Sequence, residues 1–384
     1  MVKNRCAQLC FLVFSMSFSA WSVDTTQIEE VRSKLAQSTT QPDAAALQVI
    51  DNFWRKSIDQ MMLTEDTDEM VTLRQDLEKF KGENYLSLYA SAYLDAGRKH
   101  LGVAMDTVGK WEQNAKKVNV ERNLMILITR LGSVELADLA MGKLSDVDPM
   151  VRYWAVRSLT SEEIISQLKS DVTGDEKLTA QIISALEGYL KTSSDILPLS
   201  FAADFAAAIN TTASRKLLYV MADRRIDAYM KWAVTDESVD AGILKNMGKL
   251  IPAVSEAAEK QELLSRLGQL YSCVLQRYML GENLPQSAKD QLVTVIAEVE
   301  DNVISKQIPG WMSKFRIDLS KNMPMDKDYE FLFGTEERAG ELAGRLSFNY
   351  GKNSSGKVLV SPRLLPPAPK ASIAEGTSAT TAQP

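Results

Sequence analysis

The chain has 384 residues, of which 45% are hydrophobic and 24% charged, with a formal net charge of -6. These are ordinary globular values, and the length suits one long repeat array or two domains. The acidic balance excludes a broad cationic footprint, so neither nucleic acid nor an anionic membrane surface is expected as a partner.

The first 22 residues read as a secretory signal peptide. Lys3 and Arg5 make a positive start, Leu9 to Phe18 an apolar run, and Ala20-Trp21-Ser22 a small-residue cleavage site. The apolar run is shorter than the roughly 20 residues a spanning helix needs. Cleavage after Ser22 takes Lys3 and Arg5 with it, making the formal charge more negative by two. It also takes Cys6 and Cys10, leaving Cys273, so no internal disulfide can form. The expectation is an exported chain, periplasmic or extracellular, with no integral membrane segment after the signal.

Helical spacing dominates from there. Leu47, Ile50, Trp54, Ile58 and Met61 recur at steps of three and four, as one stripe of a helix does. Met70, Leu73, Leu77 and Phe80 repeat the pattern, and Lys81-Gly82 ends it with a cation and a C′ glycine. Tyr85 to Ala96 is a third stretch, with His100 placed near its end. Leu124, Ile128 and Leu131 make a fourth, closed by Gly132. Strand-like alternation is nearly absent, which predicts an all-α fold.

The sharpest local pattern lies between Val134 and Leu159. Leu136, Leu139, Ala140 and Leu144 form one apolar face, and Ser145-Asp146-Val147-Asp148 a polar turn. Asp148 is placed as N-cap and Pro149 at the first helical position, where its missing N–H costs nothing. Val151, Ala155 and Leu159 then face inward. This stretch, with Val151-Arg152 and Ala155 after an aspartate-proline turn, resembles a HEAT repeat. The resemblance implies stacked antiparallel helix pairs, an α-solenoid. It also implies that Asp146, Asp148, Pro149 and Arg152 build a structural ladder between neighbouring repeats. Thr160 and Glu163 suggest a capping box opening the next helix. Ile182, Leu186 and Leu190 give another stripe. Helical stretches starting near residues 122, 161, 194, 237 and 286 are about 41 residues apart on average, inside the HEAT-like range.

Near the end, Thr335 to Leu346 predicts a short helix. Leu346–Tyr350 and Val358–Val360 predict a hairpin around Gly351 to Gly356. From Ser361 the composition turns to Pro, Ala, Ser and Thr, which predicts a disordered tail. The organisation expected is thus a signal over 1–22, a helical region over 23–120 and HEAT-like repeats over 121–330. A short helix and hairpin follow over 331–360, and the tail over 361–384.

Catalytic patterns do not rise above background. Gly351 to Lys357 matches a phosphate loop through its lysine, but Val358 stands where a magnesium-binding hydroxyl belongs, and no helix follows. His100 is the single histidine, which excludes two-histidine zinc motifs. Cys273 lies in an apolar helical stretch and reads as a buried, inert thiol. The run Glu65 to Glu69 reads as a helix start, and Trp311 with Phe315 as a core pair one helical turn apart. No catalytic, cofactor-binding or metal-ligating residue is assigned, and no cofactor is expected. The function expected is a non-enzymatic scaffold or adaptor that binds another protein through a helical-repeat surface. The alternatives are a cell-envelope hydrolase using paired carboxylates in a groove and a structural subunit of an envelope assembly.

Overall fold

The structure is a computed structural model. It describes residues 25–36, 38, 40–82, 86–170 and 175–369. The signal expected over 1–22 and the tail from residue 370 lie outside the described residues. The chain is all-α, and its helices pack in successive pairs; the strands form only a two-stranded hairpin among the described residues. It divides into two compact units, one ending at Ala104 and the other beginning at Met105, where the sequence reading divides at 120. No helix of the described residues is long and apolar enough to cross a membrane.

The first unit holds α1 (Thr26–Leu35), α2 (Ala44–Leu63), α3 (Thr67–Lys79) and most of α4 (Leu88–Gly109). Asp43 caps α2 by accepting from Ala46 N–H at 2.8 Å, and Asp66 caps α3 in the same manner. The acidic run is therefore a helix start, as its position suggests. Ile50, Trp54, Ile58 and Met61 are buried, but Leu47 is not: it sits in the first turn of α2, where the stripe runs out to solvent. Aromatic rings fill the centre. Phe53 meets Phe80 edge-on at 5.4 Å, and Trp54 meets Tyr93 at 5.1 Å. The Tyr89 and Tyr93 hydroxyls donate to the Phe80 and Leu77 carbonyls, both at 2.8 Å. These bonds satisfy the last carbonyls of α3, which a helix end leaves open. His100 is not near a helix end. It lies inside α4, where its Nε2 is 2.9 Å from Asp51 of α2, and Lys99 meets the same carboxylate at 2.7 Å.

The second unit carries the remaining helices. They are α5 (Ala115–Leu131), α6 (Ala137–Met141), α7 (Pro149–Leu159), α8 (Glu162–Leu168), α9 (Glu176–Thr192), α10 (Leu199–Ile209) and α11 (Thr212–Met230). Then come α12 (Val239–Leu250), α13 (Ala257–Leu280) and α14 (Gln286–Val299). Through a π-helical turn at Glu300–Ile304, α14 continues into α15 (Ser305–Gln307). Helices α16 (Lys314–Lys321), α17 (Asp326–Phe333) and α18 (Glu341–Leu346) finish the unit, with β1 (Gly334–Thr335) and β2 (Arg338–Ala339) between the last two.

These helices build two layers. One layer runs α5, α7, α10, α12, α14, each against the next; the other runs α6, α9, α11, α13. Leaving aside the short α8, chain order alternates between the two layers. That arrangement follows from amphipathic pairs that cannot cover their apolar faces alone. Val151, Ala155 and Leu159 of α7 are fully buried between layers, as are Leu186 of α9 and Leu217 and Leu218 of α11. Gly132 ends α5 at φ +58°, a conformation that suits glycine. The cap of α8 differs from expectation. Ser161 accepts from Ile164 N–H, while Thr160 turns back to the Val156 carbonyl of α7.

The C-terminal part departs from the sequence reading in three places. The helix expected over 335–346 begins only at Glu341, because Gly334 at φ +83° and Gly340 let β1 and β2 fold back on each other. Around 351–356 the chain does turn back on itself, but through an isolated bridge rather than the two strands expected, and Leu346 ends α18. Tyr350 N–H donates to the Leu359 carbonyl, Leu359 N–H donates to the Gly351 carbonyl, Lys352 bridges Val358, and the Asn353 side chain caps the loop. The loop that mimics a phosphate site is thus a hairpin turn with no helix behind it. Of residues 361–369, which composition assigns to the tail, Arg363 and Leu365 are hydrogen-bonded to α13 without regular secondary structure, and Pro362 and Leu365 are buried.

Candidate functional site

The turn between α6 and α7 gathers the residues singled out in the sequence. Asp148 accepts from the N–H groups of Met150 at 2.8 Å and Val151 at 3.1 Å, and Pro149 takes the first helical position. Arg122 of α5 grips the same carboxylate at 2.6 Å. Burial opposes the ionised Asp148, but Arg122 and the two backbone donors outweigh it and hold the carboxyl below its usual range. Asp146 accepts from Asp148 N–H at 3.0 Å and from Lys143 at 3.1 Å. Lys143 also reaches the buried Glu121 at 2.9 Å. Burial works against its ammonium, yet the two carboxylates hold its pKa above the ordinary lysine value.

Arg152 does not pair with the Asp146 carboxylate. It donates to the Asp146 and Val147 carbonyls at 2.8 and 3.1 Å, then spans to Asp195 with two bonds of 2.6 and 2.8 Å. Asp195 lies 43 residues further along, just after α9, and also accepts from Tyr189 at 2.9 Å. Arg152 and the other donors hold its carboxyl below the usual range. Asp195 escaped the sequence reading because nothing local marks it; the separation alone points to it.

Other pairs keep similar separations. Arg215 of α11 holds Glu259 of α13 by two bonds of 2.6 and 2.8 Å, 44 residues apart. Arg266 holds Asp223 across 43 residues, Asn246 holds Asp204 across 42, and Arg277 holds Glu237 across 40. A tighter cluster ties α11 to the start of α12. There Arg225 and Asp240 are fully buried, joined by bonds of 2.6 and 2.9 Å, and Tyr229 donates to the same carboxylate at 2.6 Å. Beside the Arg152 corner lies a hollow of about 560 Å³, lined by Asp146, Arg152, Tyr189 and serines of α9 and its C-terminal loop.

Two hollows flank residues 361–365 at the other end of the unit. One, of about 500 Å³, is lined by Met279, Leu280, Met323, Met325, Tyr329 and Leu364. The other, of about 690 Å³, is mixed: Val358, Val360, Pro362, Tyr329 and Leu364 give it apolar wall, and Glu330, Glu336, Lys357 and Arg363 charged rim. Methionine adapts its shape to varied apolar partners, and exposed apolar concavities mark binding surfaces.

The residues weighed as chemical candidates fall elsewhere. Cys273 is fully buried in α13, and burial pushes its thiol up to about 12. Trp311 and Phe315 do pack at 5.5 Å, but they do not share one helix, since α16 begins at Lys314. Glu300 brings them together, accepting from Trp311 Nε1 at 2.7 Å and from the N–H groups of Phe315 and Arg316 at 2.9 and 2.8 Å. Burial raises its pKa despite these bonds. Asp318 is raised too, by burial and then by the neighbouring Asp328, but neither lines a hollow named above.

No family model matches the chain. No curated protein matches it either. Among solved structures, an engineered protein is similar over 85% of this chain and 95% of its own length, at 14% identity and a TM-score of 0.21. A likeness that weak carries no argument about fold or function.

Proposed function

We propose that this chain is an exported, non-enzymatic scaffold of HEAT-like repeats that binds another protein through the surface of its second unit. One observation carries the reading: polar pairs across 40 to 44 residues tie neighbouring helices of the two-layer stack from α7 onward. A spacing of that length, with an arginine and an acid in four of the five pairs, fits HEAT-like units. The structural ladder is then Asp146, Asp148, Pro149 and Arg152 at its first rung, completed by Asp195. Stacked repeats serve recognition because stage-to-stage contacts hold the body while the outer faces stay available. The hollows beside Leu364 give that recognition a place to act.

The test has two arms. Protein recovered from cells should begin at Val23 and lie in the exported fraction. Purified mature chain should form a stoichiometric complex with a captured protein when both are remixed. A chain that retains Met1 in the cytoplasm refutes export. A chain that forms no such complex, but turns over a substrate, refutes the scaffold.

A further inference from the structure

Three glutamines of α13 hold the backbone of the C-terminal segment. Gln261, Gln269 and Gln276 follow one another at eight and seven residues, which is about two turns and keeps them on one face. Gln261 donates to the Asn349 carbonyl at 2.6 Å and accepts from Asn349 N–H at 3.2 Å. Gln269 treats Arg363 the same way, donating at 3.0 Å and accepting at 2.8 Å. Gln276 donates to the Arg363 carbonyl at 3.3 Å and accepts from Leu365 N–H at 2.7 Å. Trp232 closes the row by donating from Nε1 to the Pro366 carbonyl at 2.9 Å.

A helix satisfies its own backbone and offers no edge to an extended chain. A primary amide carries both a donor and an acceptor, so a row of them supplies that edge. Such a row reads an extended backbone and ignores side chains. It also suits proline. The N–H groups captured belong to Arg363 and Leu365, while Pro362 and Pro366, which have none, stand just outside them. Gln269 and Gln276 are 5% and 2% exposed; their Nε2 groups also reach Cys273 Sγ and Ser272 Oγ within α13 at 3.4 and 2.8 Å, so it is their amide oxygens that need a donor from whichever chain lies there.

Side-chain capture is incomplete by comparison. Leu364 is 62% exposed and lines both hollows without filling either. The backbone is held at Arg363, Leu365 and Pro366, while two concave surfaces beside the segment remain open.

We propose that the α13 face bearing Gln269 and Gln276 is a binding site for an extended, proline-bearing polypeptide segment with bulky apolar side chains. Residues 361–366 are the chain's own exchangeable occupant. The proposal rests on the protein-binding reading and names its ligand class.

The experiment uses the full mature chain and a fluorescent peptide spanning Ser361–Pro369. Leu365→Asp in the chain places a carboxylate in a buried apolar position and releases the resident segment. Anisotropy should show this variant binding the peptide on the order of tenfold tighter than the wild-type chain, about 1.4 kcal/mol. A peptide with Leu364→Trp should bind tighter still by filling a hollow. Adding Gln269→Leu and Gln276→Leu to the chain should abolish both. A Leu365→Asp chain that stays helical yet binds no peptide, or binds it regardless of the glutamines, overturns the proposal. If that variant does not fold, the wild-type chain decides. Saturating tryptophan peptide must speed amide exchange at Arg363 and Leu365, and unchanged exchange overturns the proposal. Complex formation that survives loss of both glutamines would remove this site and leave the scaffold standing; failure to form any complex would remove the scaffold itself.

Discussion

Replacing Arg152 by methionine tests whether the 43-residue rung joins the stages of the stack. The arginine makes four hydrogen bonds, two of them to Asp195, and methionine keeps its aliphatic stem while removing all four. Its side chain is 19% exposed and that of Asp195 15%, so the pair lies between solvated and buried. Exposed pairs contribute about 0–1 kcal/mol and breaking a buried pair costs about 3–5 kcal/mol, which places Arg152→Met at about 2–3 kcal/mol. Urea unfolding of the full chain measures it, and amide exchange along α9 places the loss in the second unit. A double-mutant cycle with Asp195→Asn should give coupling of about 1.5 kcal/mol or more. The pH dependence has a definite sign. Arg152 depresses the Asp195 carboxyl below its ordinary 3.8. A depressed carboxyl adds stability above its unfolded value and loses it as pH falls through the folded value. The difference between wild type and Arg152→Met should therefore be constant near neutrality and shrink below about pH 4. Additivity of the two substitutions within about 0.5 kcal/mol would refute the rung.

Three further outcomes follow from the packing. Asp240→Asn should cost about 3–5 kcal/mol, because it strips the charge from the buried partner of Arg225, whereas Arg225→Met with Asp240→Leu should cost less than either change alone. Tolerance of the single change within about 1 kcal/mol in urea unfolding would contradict this. Gly97→Ala should destabilise the first unit by about 1–3 kcal/mol, even though alanine is the better helix former by about 1 kcal/mol. The added methyl carbon would lie 2.6 Å from Cζ2 of the buried Trp54, and a raised melting temperature would show that the ring can move aside. Native Cys273 should react with a thiol reagent at pH 8 on the order of a hundredfold more slowly than the denatured chain, since burial suppresses both thiolate and access. Rapid native labelling would mean that α13 opens.

Within α2, α3, α5 and α7 the sequence alone was sufficient, because each helix's identity is local. Apolar residues at steps of three and four and an aspartate or asparagine before the first turn describe these helices without reference to anything distant, and in α3 and α5 a glycine follows the end. Asp148-Pro149 and Gly132 took the places their chemistry dictates. Leu47 shows the limit even here, since the same spacing does not say where a helix leaves the core. What the neighbours decide was not legible. Asp195, Glu259 and Asp240 look like any other carboxylates until the fold brings an arginine to them. The glutamines of α13 look like surface residues of an apolar helix. Residues 361–369 carry the composition of a free tail, and only the fold brings Gln269, Gln276 and Trp232 to the backbone of Arg363, Leu365 and Pro366. Periodicity encodes one element's own face, whereas a rung, a hollow or a captured segment exists only between elements far apart in the chain.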